Sequence, residues 1–173
     1  MGRPRVLSYT FGPASRNAEK TKTKLRRIKA AKLQFAQEIG HGGLATVHGG
    51  HLGTKAIAFK VVRSQPGLLA DPETDRRALH EEAMMLHRLS HPQIVEVIGL
   101  VSEQGIVNGF VMERLGESLE QASSRGHLCW QRLEKAFGQI VEAVAHIHRL
   151  LIAHTDLKPA NACFKRYGHF PVA

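Results

Sequence analysis

The sequence predicts an α+β fold in which an antiparallel, five-stranded β-lobe with one inserted helix leads into a helical lobe. Three observations predict it. Lys55–Val62 (KAIAFKVV) is an almost continuous apolar, β-branched run, as expected of a strand buried on both faces. Leu79, Ala83 and Leu86 recur at helical spacing in the middle of the chain. Beyond Gly116 the pattern becomes helical, with Phe137, Ile140, Val141, Val144 and Ile147 forming a long stripe.

The elements follow in order. Phe35–Ile39 reads as the first strand, and a glycine cluster at Gly40, Gly42 and Gly43 separates it from a second over Thr46–Gly49. Lys55–Val62 is the third strand. Gln65–Thr74 holds Pro66, Gly67 and Pro72 and reads as loop. Asp71 is placed to cap a helix that begins with Pro72 and runs to about Leu89, where His91-Pro92 stops it. Ile94–Val101 and Ile106–Met112 supply two more strands. A short helix over Glu117–Ser123 and a long one over Trp130–Leu151 complete the reading.

Charge divides the chain of 173 residues unevenly. Residues 1–32 contain 10 Lys and Arg and one acid, Glu19, and so carry the whole net charge of +9. The 14 basic and 14 acidic residues from Leu33 onward cancel, which leaves the globular part without a nucleic-acid signature. Residues 1–32 are expected to be a disordered basic tail. Asn17–Lys32 could become a helix on an acidic partner, a membrane surface or a nucleic acid, or remain a solvated face. The two cysteines, Cys129 and Cys163, lie apart without metal-ligand spacing and suit a reducing compartment. The N-terminus lacks the apolar core of a secretory signal, and the longest apolar run, Leu150–Ala153, is too short to span a bilayer. The expected location is intracellular and cytoplasmic, with nuclear or organellar targeting by the basic tail left open.

The chemistry lies in four places. Gly40–Val47 (GHGGLATV) joins two strands, and glycines there let backbone N–H groups approach phosphate oxygens. Lys60 closes an apolar strand, where an ammonium is costly to bury without an anion. Glu82 shares the inward face of Leu79 and Leu86 and is the carboxylate placed to meet it, whereas Glu81 points to solvent. After the long helix comes His154-Thr155-Asp156-Leu157-Lys158-Pro159-Ala160-Asn161.

This last segment resembles the catalytic loop of protein kinases, H-R-D-L-x-x-x-N. Glycine hairpin, strand lysine, helix glutamate and catalytic loop occur in that family's order over about Phe35 to Ala173. The resemblance implies a two-lobe kinase fold with an N-lobe over 33–111, a hinge over 112–116 and a partial, incomplete helical C-lobe over 117–173. It implies ATP and Mg2+ as cofactors and a protein substrate phosphorylated on Ser or Thr, since Lys158 stands two positions after Asp156. Gly40, Gly42 and Gly43 would cover the phosphates, with Ala45 where a third glycine usually lies. Lys60, fixed by Glu82, would hold the α- and β-phosphates. Asp156 would orient the substrate hydroxyl and accept its proton, Lys158 would steady the γ-phosphate, and Asn161 would bind the metal. Adenine would lie between Ile39, Val47 and Ala58 above and Cys163 below, with Met112 controlling access behind it and Glu113-Arg114-Leu115 as the hinge.

Two departures qualify that resemblance. Thr155 stands where the family commonly has an arginine that pairs with an activation-loop phosphate, and threonine supplies no charge-assisted pair. Ala162–Phe164, the turn Lys165–Gly168 and His169–Ala173 resemble the hairpin that leads into Asp-Phe-Gly, yet no Asp-Phe-Gly follows. The expectation is a kinase domain truncated before that motif, poorly stable and inactive by itself. The alternatives are a non-catalytic, pseudokinase-like scaffold fragment or a kinase-like small-molecule phosphotransferase.

Overall fold

The computed structural model describes residues 24–41, 45–63 and 71–165. Strands β1 (Arg27–Lys29), β2 (Leu33–His41), β3 (Ala45–Leu52), β4 (Lys55–Val62), β5 (Val97–Glu103) and β6 (Ile106–Glu113) form one sheet in the order β1-β5-β6-β4-β3-β2. The five expected strands pair antiparallel, β2 with β3, β3 with β4, β4 with β6 and β5 with β6. Gln104 and Gly105, with φ of 49° and 85°, make the tight turn between β5 and β6, a pair of left-handed residues that matches the twist of the strands it joins.

Alternation along β4 feeds two apolar layers, one on each side of the sheet. Ala58 joins Val47, Phe110 and Met112 on the inner face. There they pack with Leu79, Ala83 and Leu86 of helix α1 (Pro72–Arg88). Ile57 and Phe59 join Leu33, Val101 and Val111 on the outer face. The expectation that this strand is buried on both sides therefore holds. Helix α1 begins as its sequence implies: the Asp71 carboxylate accepts hydrogen bonds from the backbone N–H groups of Glu73 and Thr74 at 3.2 and 3.3 Å.

Strand β7 (Leu115–Ser118), helix α2 (Leu119–Ser124), helix α3 (Trp130–Arg149) and strand β8 (Cys163–Lys165) make the second lobe. A capping box starts α2, with the Ser118 hydroxyl accepting from Gln121 N–H while the Gln121 side chain accepts from Ser118 N–H. The lobes are fastened by the α1–β5 connection. His146 of α3 hydrogen-bonds the Leu89 carbonyl through Nε2 at 2.8 Å, and its ring stacks on His91 with centroids 4.6 Å apart. No helix among the described residues is long and apolar enough to cross a membrane.

Three expectations need correction. Residues 24–32, assigned to a disordered tail, are folded: Leu25 and Ile28 are buried, and β1 lies parallel to β5 as a sixth strand. The segment Glu117–Ser118, expected to open a helix, instead ends a strand, because β7 pairs with β8 in a small second sheet. The fourth strand starts at Val97 rather than Ile94, since Ile94 and Val95 pack as a buried loop below α1. Residues 1–23, the glycines Gly42 and Gly43, and the returning strand at His169–Ala173 lie outside the described residues.

Candidate active site

Register places the lysine. Val47 on β3 pairs with Lys60 on β4, and Ala58, two residues earlier, shares its face, so the ammonium points to the inner side of the sheet. Lys60 and Glu82 are each 8% exposed. The ammonium donates to both carboxylate oxygens of Glu82, at 2.7 and 2.6 Å. Burial pushes the Glu82 carboxyl above its ordinary range, and Lys60 opposes the shift through its charge and hydrogen bonds. Glu81, one residue away, is exposed and pairs with Arg77 at 3.1 Å.

A cleft of about 440 Å3 opens under Val47 and Ala58, the strand neighbours of Lys60, although Lys60, Glu82, Asp156 and Lys158 do not themselves line it. Ile39, Val47 and Ala58 line it from the sheet, Met112, Glu113, Arg114 and Leu115 from the connection between lobes, and Asn161 and Cys163 from the second lobe. Every described apolar or hinge residue expected around an adenine therefore lines one cavity. Burial pushes the Cys163 thiol up to about 11, against the influence of Arg114, so it packs as an apolar group rather than a nucleophile. A larger apolar cleft of about 520 Å3 runs along α3 past Ile140, Val144 and Ile147 and shares Asn161 and Cys163. It lacks the strand roof of Val47 and Ala58, so the smaller cleft suits a flat heteroaromatic ring better.

The loop 154–161 is knotted on Asp156. Lys158 Nζ donates to Asp156 Oδ1 at 2.6 Å. Asn161 Nδ2 donates to Asp156 Oδ2 at 2.9 Å and to its backbone carbonyl at 2.8 Å. These bonds fix the Asn161 amide so that its Oδ1 is buried and accepts no hydrogen bond. Such an orphaned oxygen beside a carboxylate fits a hard cation. Among the described residues no group of three or more His, Cys, Asp or Glu forms a metal cage. Thr155 has φ of 55°, costly for a β-branched residue, and this strained turn presents Asp156. Burial lowers the pKa of His154.

Glu113, expected in the hinge, also has a side-chain role, and a second acid at the cleft, Glu117, escaped sequence reasoning. The Glu113 carboxylate accepts from Glu96 N–H at 2.9 Å and lies 3.8 Å from Lys165 Nζ, so it ties the hinge to both lobes. Glu117 at the cleft mouth meets His127 at 3.0 Å, Arg132 at 3.3 Å and Arg125 at 3.6 Å. Burial works against its ionised form, but His127 and Arg132 outweigh it and hold the carboxyl below its usual range. The signal for Glu117 was an acid eight to fifteen residues before a basic cluster, a spacing with no local periodicity to mark it.

The fold and the pocket together define a two-lobe domain with a cleft lined from both lobes, and comparison with known sequences gives its family. The profile of the protein kinase domain matches residues 33–172, and this chain belongs to the protein kinase family. It is 31% identical over 147 residues to serine/threonine-protein kinase PrkC of Bacillus subtilis, covering 83% of this chain and 22% of that protein. It is 30% identical over 143 residues to serine/threonine-protein kinase dkf-2 of Caenorhabditis briggsae, covering 79% of this chain and 12% of that protein. It is 33% identical over 136 residues to CBL-interacting serine/threonine-protein kinase 14 of Arabidopsis thaliana, covering 75% and 29%. The chain thus spans between 12% and 29% of the length of these relatives. The family as a whole uses ATP with a divalent metal.

Proposed function

We propose that this chain is the ATP-binding portion of a serine/threonine kinase domain that binds Mg2+-ATP and, as these 173 residues, does not turn it over. The observation that carries the reading is the buried, two-pronged contact of Lys60 with Glu82, on the strand whose Ala58 lines the cleft. A structural ion pair has no need of a lysine whose strand neighbours roof a cavity; a phosphate-binding lysine does. In this reading Lys60 exchanges part of its hold on Glu82 for the α- and β-phosphates, and the Met112–Leu115 backbone meets the adenine edge. Asn161 Oδ1 would hold the Mg2+, which would supply charge neutralisation at the phosphates. In a complete kinase domain Asp156 would orient a Ser or Thr hydroxyl and take its proton, and Lys158, here bonded to Asp156, would pass to the γ-phosphate. These 173 residues do not include an Asp-Phe-Gly motif, which supplies a main metal ligand in the family's reaction.

Titration of the purified chain with Mg2+-ATP tests the proposal, alongside a radiolabel-transfer assay on a Ser/Thr-rich protein. Saturable binding is expected, weakened at least tenfold by Lys60→Met and made less Mg2+-dependent by Asn161→Ala, with no transfer. Absent binding, or binding indifferent to Lys60→Met, refutes the nucleotide reading and favours a non-catalytic scaffold. Exposed Phe137 and Val141 on α3 would then be its contact surface. Vigorous Mg2+-dependent transfer by the chain refutes its inactivity.

A further inference from the structure

The family match begins at residue 33, yet the folded lobe begins at about residue 25. Ile28 pairs with Val101 in the middle of the parallel β1–β5 ladder, and Arg27 and Lys29 pair with Leu100 and Ser102 on either side. Just before it, Leu100 N–H donates to the Arg26 carbonyl at 2.9 Å, and Arg26 Nε donates to the Ile98 carbonyl at 3.3 Å. Gly99 opposite has no room for a side chain: a Cβ there would lie 2.7 Å from the Arg26 carbonyl oxygen and 2.9 Å from Ile28 Cδ1. The close approach of the two strands is thus built into β5 as well as β1.

The two apolar residues of this segment go to opposite faces. Ile28, 5% exposed, packs in the outer cluster with Val101 and Val111. Leu25, 6% exposed, packs in the inner cluster, which contains the buried face of α1 through Leu79, Ala83, Leu86 and Leu89. Helix α1 is the element that carries Glu82 to Lys60. We propose that residues 25–33 are a positioning strand of the catalytic lobe, holding α1 and its glutamate against the sheet through Leu25. The functional half of the proposal rests on the nucleotide role of Lys60 given above; the mechanical half does not.

The asymmetry of the two faces supplies the test. Leu25→Ala, the milder Leu25→Val and Ile28→Ala are made in the full chain, and hydrogen–deuterium exchange of α1 amides is followed with the Mg2+-ATP dissociation constant. Leu25→Ala should speed exchange across Leu79–Leu86 by about tenfold, with Leu25→Val between it and the parent. Ile28→Ala should lower the Tm comparably while leaving α1 exchange near the parent rate. Where the parent binds Mg2+-ATP, Leu25→Ala should raise its dissociation constant several-fold and Ile28→Ala should not. Equal effects of the two alanine variants on α1, or no effect of either leucine variant, overturn the proposal. If the parent binds no nucleotide, the function proposed above fails alone, and the exchange rates still decide the role of Leu25.

Discussion

Replacing Lys60 by methionine strands the Glu82 carboxylate. Both side chains are nearly inaccessible, and the two hydrogen bonds of 2.7 and 2.6 Å are the partners the structure gives that carboxylate. Removing one member of such a pair costs about 3–5 kcal/mol, a large share of the roughly 5–15 kcal/mol that holds a domain together. Glu82→Leu in the same background removes the orphaned charge, so the double variant should recover about 2–3 kcal/mol relative to the sum of the single changes. The pH dependence follows from the sign of the shift. Burial already raises the Glu82 pKa and Lys60 restrains it, so losing Lys60 raises it further. A folded-state carboxyl with a raised pKa binds a proton that the unfolded chain releases; its contribution is present at low pH and lost as pH rises through the carboxylate range and above it. Lys60→Met should therefore be far less destabilised at pH 5 than at pH 8, while the double variant shows no such dependence. Urea denaturation of the parent, both single variants and the double variant at the two pH values measures this. Additive losses that are equal at pH 5 and pH 8 would refute the buried-pair argument.

Two further outcomes follow from the second lobe. Phe137 and Val141 on α3 are 64% and 54% exposed, so Phe137→Glu with Val141→Lys should leave the Tm within a few degrees and reduce aggregation, read by light scattering on heating. A fall of the Tm by ten degrees would mean that this face is covered in solution. His154 has a folded pKa lowered by burial, so its contribution is present above the ordinary histidine range and lost as pH falls below it. Thermal melts between pH 7.5 and 5.5 should show a decline that His154→Gln flattens, and an unchanged slope in that variant would remove His154 as the cause.

Local rules exposed the chemistry better than they exposed its support. Strand β4 was legible to the residue because a continuous apolar run meets a turn at Gly53. Helix α1 was legible because Asp71-Pro72 starts it and Leu79, Ala83 and Leu86 mark one face, which made the acid on that face, Glu82, conspicuous. Strand β1 was hidden for the opposite reason. Arg-Ile-Lys offers a single apolar residue in a run of cations, too short for any alternation to show, and its burial is conferred by a strand more than 70 residues away, as the Arg26–Ile98 bond shows. Strand β7 was hidden likewise, since Leu-Gly-Glu-Ser is extended only because β8 returns beside it. The clue to β1 lay instead in its partner: a glycine in the middle of an apolar strand, at Gly99, signals a backbone that comes too close for a side chain. A buried charge advertises its partner because isolation is costly, whereas an edge strand is revealed by the shape of what it leans on. The lysine–glutamate pair could therefore be read from two residues 22 positions apart, but the segment that steadies it required the sheet.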